Sequence, residues 1–251
     1  MKKESTILFF IAVFVLLTLS IPSSVIAFTP SSQPKSNALV LSSMNETAPM
    51  GDYAKTLLKY LERASYNVTY LTDGAVTVDL IVNHLNDYRV VIWRTNTFNW
   101  AHSIYWYIGE KSNDGVQQRY ASDFAAGLLN DHTGIVGMNS DFLRNHLKAN
   151  NLTKVKLMVF IGGYGNSIAS QFIKAGVASV IFTHGDLSLQ HGFIDNLTVQ
   201  MVNYLTQGQN VDTAVYETVS PFNQGQKPQD PLDSTYAPPF WYLGDGTLTI
   251  V

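Results

Sequence analysis

The strongest constraint on the fold is a rhythm. Short runs of apolar, β-favouring residues recur along the chain: Ala38–Ser42 (ALVLS), Asn67–Leu71 (NVTYL), Tyr88–Trp93 (YRVVIW), Lys156–Ile161 (KLMVFI) and Ala178–Phe182 (ASVIF). Between the first two, Ala54, Leu57, Leu58 and Leu61 fall at i, i+3, i+4 and i+7, which predicts an amphipathic helix over Met50–Arg63. Val76–Leu85 reads as a second helix, and YRVVIW is apolar enough for a strand buried on both faces. After KLMVFI, a Gly162-Gly-Tyr-Gly165 turn opens a helix with Ala169, Phe172, Ile173 and Gly176 on one face. Phe193–Leu205 and Val211–Val219 predict two more helices. Strands alternating with helices imply an α/β fold, a mostly parallel sheet flanked by helices.

Residues 94–134 break the rhythm. His102–Gly109 reads as an extended excursion, Gln117–Leu129 as a short helix and Ile135–Met138 as β-like, with Ser140 capping a helix to about Lys148. The Pro-, Gln- and Asp-rich stretch 220–239 reads as a surface meander, and Phe240–Val251 as a last extended segment. There is no internal repeat, and residues 38–251 form one predicted domain.

Residues 1–28 read as a leader. Lys2 and Lys3 precede the apolar run Ile7–Leu19, and Val25-Ile-Ala27 fits a signal-peptidase site. Counted through Phe28 the apolar stretch reaches 22 residues, enough to form a transmembrane helix if it is not cleaved. Either way the lysines stay inside and the body lies outside the cytoplasm, secreted or anchored to the outer face of the membrane. Residues 29–37 are a polar linker. Sequons at Asn45, Asn67, Asn151 and Asn196 are glycosylation candidates and fit export. Charged residues make up only 14% of the chain, against the roughly 25% of ordinary soluble domains, and cysteine is absent. An exported chain with sequons and no disulfide fits an archaeal cell surface better than a eukaryotic secreted protein.

Composition and motifs exclude several functions. A net charge of −3 provides no footprint for nucleic acid. Without cysteine there is no thiolate metal site and no cysteine nucleophile. The turn Gly163-Tyr-Gly165-Asn-Ser-Ile168 lacks the third glycine of a dinucleotide fingerprint, so no cofactor is expected. Ser167 sits in Gly165-Asn-Ser-Ile-Ala169, which resembles a nucleophile elbow. The last histidine, His191, follows only 24 residues later and leaves no ordinary place for an acid such as Asp186, so Ser167 reads instead as a helix N-terminal residue. His184, Asp186 and His191 carry zinc-ligand chemistry but lie in a loop without helical spacing, and read as solvated residues. His84, His102, His132 and His146 are scattered. The aromatic run 98–107 (FNWAHSIYWY) is either a packed excursion or a sugar- or partner-binding surface.

The segment KLMVFIGGYGNSIASQFIKAGVASVIF, with the helices after it, resembles the C-terminal half of the caspase-like cysteine peptidase domain, in its CHAT-type and gingipain-like versions. Phe172-Ile-Lys-Ala175-Gly176-Val-Ala-Ser-Val180-Ile181 carries the likeness most closely, Gly208 and Ala214 match a later helix start, and Tyr242-Leu-Gly244-Asp245-Gly-Thr-Leu248 is similar to the family's closing segment. The resemblance implies a three-layer caspase-like sandwich. It places Tyr164, or Gly163 beside it, where the family has its cysteine, and Asn96 where it has its histidine. A phenol with a pKa of about 10 and a neutral amide supply neither the soft nucleophile nor the base that chemistry needs.

The expectation is an exported, catalytically inactive caspase-like domain that acts by binding a protein or peptide partner or as a structural protein. Its cleft is expected between Arg94–Trp100 and Gly162–Ser167, with Arg94 either holding an anionic group or forming an ordinary ion pair. The alternatives are a hydrolase or peptidase rebuilt on Ser167 or the His184/Asp186/His191 cluster, and an envelope or filament subunit.

Overall fold

The computed structural model describes residues 35–44, 46–47, 49–185, 191–221 and 239–251. The leader 1–28, most of the linker 29–37, Asn45, Asp186 and most of the stretch 220–239 lie outside the described residues.

The apolar runs become strands. β1 (Asn37–Ser42), β2 (Asn67–Thr72), β3 (Val90–Arg94), β8 (Leu157–Ile161), β9 (Ser179–Thr183) and β10 (Phe240–Gly244) form one sheet in the order β10-β9-β8-β3-β1-β2. The first five run parallel, and β10 pairs antiparallel with β9. β3, β8 and β9 are buried along their whole lengths, as a parallel sheet covered on both faces requires.

Alternate side chains divide the core into two layers. On one face Val40, Ile92, Val159 and Ile181 pack against Leu57 and Leu61 of α1 (Gly51–Arg63), Met201 and Leu205 of α6 (His191–Thr206) and Val211 and Val215 of α7 (Val211–Val219). On the other, Leu39, Trp93, Phe160 and Phe182 meet Ile168 and Phe172 of α5 (Gly165–Lys174) and Phe142 of α4 (Ser140–His146). Trp93 meets Phe160 edge-on at 5.3 Å, the preferred approach of two ring quadrupoles. The molecule is therefore an α/β, three-layer structure with a mostly parallel central sheet.

Residues 94–138 hold the main departure from expectation. They build a second sheet, antiparallel, in the order β4-β5-β7-β6, from β4 (Thr97–Trp100), β5 (Ser103–Lys111), β6 (Leu129–His132) and β7 (Ile135–Met138). The expected helix at Gln117–Leu129 is instead two short helices, α2 (Asp114–Arg119) and α3 (Ala121–Ala125), followed by β6. Val76–Leu85 is helical from Val78 onward but irregular: Val78 and Asp79 are α-helical, Leu80–His84 widen into a π turn and Leu85–Asp87 tighten into a 3-10 turn. Helix α4 is capped by Asn139, whose Oδ1 accepts the Phe142 amide at 2.9 Å, and Ser140 is its first helical residue.

The expected transmembrane helix is corrected: among the described residues no helix is long and apolar enough to cross a membrane. α6, with 16 residues, falls short of the roughly 20 that a bilayer core demands. Residues 7–28, on which that expectation rested, are among those not described.

Candidate functional site

The strand order reverses between β1 and β3: the chain steps from β1 outward to β2, then crosses back to β3 on the other side. In open α/β sheets the carboxyl ends of strands beside such a switch point diverge and leave a crevice for ligands. A cavity of about 260 Å³ lies there. Ser43, Met44, Glu46 and Thr47 line it from beyond β1, Asp73 and Gly74 from beyond β2, and Asn96 from beyond β3. The opposite wall belongs to the second sheet, through Tyr107, Gly109 and Lys111 of β5 with Thr133 and Ile135.

Local geometry explains this wall. β5 keeps register with β7 at Tyr107–Gly137 and again at Lys111–Ile135, with a bulge between. At the bulge Gly109 has φ +105°, and a Cβ there would stand 2.3 Å from the Asp73 carbonyl oxygen. Only glycine permits both the backbone angle and the approach. The next residue, buried Glu110, accepts the Val78 amide at 2.9 Å and ties the bulge to the start of the 76–87 segment. Asp73 has φ +45°, and its Oδ1 accepts the Glu46 amide at 2.9 Å, joining the loops after β1 and β2. The Trp93 indole donates to Ser43 Oγ at 2.9 Å.

Asn96 lines the cavity, its carbonyl accepting the Tyr107 amide at 3.0 Å and its Oδ1 the Thr97 amide at 2.8 Å. Tyr164 is not among the cavity's lining residues. It occupies the turn from β8 to α5 in a left-handed conformation, φ +56° and ψ +37°. Glycines flank it because neighbouring groups are close: a Cβ on Gly165 would lie 2.7 Å from the Thr183 backbone carbonyl, and one on Gly163 would lie 2.7 Å from the side-chain Oγ1 of Thr97. The Trp106 indole also donates to the Gly163 carbonyl at 2.8 Å. The segments Arg94–Trp100 and Gly162–Ser167 thus approach each other closely at Thr97 and Gly163, and this cavity lies on the β1 side of Asn96.

Arg94 forms the ion pair rather than an open anion site. Its Nε and Nη2 donate to the two carboxylate oxygens of Asp195 on α6 at 2.8 and 2.9 Å, with both side chains buried. Burial pushes the nearby Tyr53 phenol well above its ordinary pKa, with the Asp195 charge adding to the effect and Arg94 opposing it. Among the described residues its buried hydroxyl makes no hydrogen bond within 3.5 Å, with Thr198 beside it.

Ser167 lies in the first turn of α5, where its hydroxyl donates to the Tyr164 carbonyl at 3.2 Å. Among the described residues no histidine or carboxylate hydrogen-bonds to it. His184 follows β9 half-buried and His191 begins α6, while Asp186 is not described. Among the described residues no group of three histidines or carboxylates could hold a metal. Asn67, Asn151 and Asn196 are exposed. The aromatic run packs within the second sheet, with Phe98 stacked on Tyr105 at 5.3 Å and on His132 at 4.3 Å, but leaves Trp100 55% exposed.

Sequence reasoning missed the cavity's other lining residues. Gly109 inside a strand-like run was the available signal, since an interior strand glycine marks a bulge or a close backbone approach. No protein-family model matches the chain, and no curated protein matches it.

Proposed function

We propose that the chain is an exported binding protein on a catalytically inactive caspase-like scaffold, and that its ligand enters the cavity at the β1–β3 switch point. The single observation that carries this reading is the cavity's position and chemistry. It sits at the strand ends where α/β folds bind ligands, and hydroxyls, an amide and unpaired charges line it without a nucleophile–base pair.

Two further features support it. The turn from β8 into α5 has the strained, glycine-flanked form that presents a nucleophile in α/β enzymes, yet its apex holds the phenol of Tyr164. The Ser167 hydroxyl, in the first turn of α5, is spent on a backbone carbonyl. The exposed sequon asparagines Asn67, Asn151 and Asn196 fit an exported protein.

A broad peptide-substrate screen with the purified protein tests the inactive reading. No reproducible cleavage is expected. Cleavage that Ser167→Ala abolishes would show a rebuilt enzyme instead.

A further inference from the structure

Resting on the reading of the cavity as a binding site, we infer its ligand class: a small zwitterion, a free α-amino acid or a dipeptide with both termini unblocked. The cavity's two walls carry opposite charge. Glu46 and Asp73 stand on the side of the parallel sheet, and Lys111 ends β5 on the side of the second sheet. All three line one cavity, yet no ammonium–carboxylate distance between them falls within 4.0 Å. Among the described residues neither the Glu46 carboxylate nor the Lys111 ammonium has an ion-pair or hydrogen-bond partner. Asp73 commits one carboxylate oxygen to the Glu46 amide and keeps the other.

Unpaired charges of opposite sign across a gap complement a ligand that bears both. An ammonium group fits the carboxylate wall, and a carboxylate fits Lys111, each as a charge-assisted hydrogen bond. Uncharged polar groups also line the cavity. Ser43 Oγ accepts from the Trp93 indole, which leaves its own proton to donate, and Asn96 lines the same cavity.

Size sets the upper limit. About 260 Å³ suits a small ligand of one or two residues. Two carboxylates against one ammonium disfavour a polyanion, and Met44 and Ile135 alone make a poor site for a purely apolar ligand.

Calorimetric titration of the full chain with the twenty free amino acids and glycylglycine tests the inference. The N-acetylated and C-amidated forms, glucose and inorganic phosphate serve as comparators. At least one free zwitterion is expected to bind, with each blocked form about tenfold or more weaker. Asp73→Asn is expected to weaken the free ligand while leaving its N-acetylated form unchanged. Lys111→Met, at an exposed side chain, is expected to abolish discrimination against the amide. Blocked forms that bind as well as free ones, or binding of glucose or phosphate alone, would overturn the zwitterion while leaving the cavity a binding site. Silence across the whole panel would overturn the binding-site reading as well.

Discussion

Two residues at the end of β3 have opposite surroundings. Asn96 reaches the cavity, whereas Arg94 turns into the layer of α1 and α6 and is neutralised by Asp195. A buried bidentate pair contributes little net stability, but losing one partner strands a charge. Asp195→Ala is therefore expected to cost about 3–5 kcal/mol in denaturant unfolding, and the double change Arg94→Met, Asp195→Leu much less. Tyr53 lies beside this pair with its hydroxyl buried. Because burial raises its pKa in the fold, the stability that comes from keeping the phenol protonated is present below about pH 10 and is lost as pH rises beyond it. Tyr53→Phe is expected to leave neutral-pH stability unchanged or higher and to shift alkaline unfolding upward, as followed by circular dichroism against pH. At Gly109, alanine would bring both a strained φ and a clash with the Asp73 carbonyl. Gly109→Ala is expected to lower stability by about 1–3 kcal/mol and to abolish ligand binding together with it.

The elements differ in how plainly the sequence announces them. β1, β3, β8 and β9 are apolar runs because both faces are covered, and such runs stand out in a chain. β4 (TFNW) and β6 (LNDH) are only four residues long and partly exposed, and they exist because β5 and β7 supply partners for their ladders. Local propensity does not encode such strands. The same holds for the cavity, whose lining comes from loops and strand residues scattered between residues 43 and 135. Asn96 was identified through the family resemblance, while Glu46, Asp73 and Lys111 meet only through the strand order and the Gly109 bulge. The β4–β5 hairpin shows the reverse case. Its two-residue turn, Ala101-His102, adopts φ +47° and +64°, a conformation for which Asn-Gly is the favoured sequence. Replacing the pair with Asn-Gly is expected to stabilise the protein by about 1 kcal/mol, read as a raised denaturation midpoint.

At the scale of the whole molecule, a doubly wound sheet with a second sheet folded over its carboxyl edge has one consequence for function. The edge where such folds place chemistry is divided. Thr97 and Gly163 approach closely beside β8, and a cavity opens beside β1. The cavity's position at that edge supports the proposed capture of a ligand. The most direct measurement of that claim is an amide NMR map of the full chain titrated with the amino-acid panel, with the ligand's own spectrum followed over time. Shifts are expected to concentrate at Glu46, Asp73, Asn96, Gly109, Lys111 and Thr133 while the ligand stays chemically unchanged. Shifts centred instead on Tyr164 and Ser167, or conversion of the ligand to a product, would contradict it.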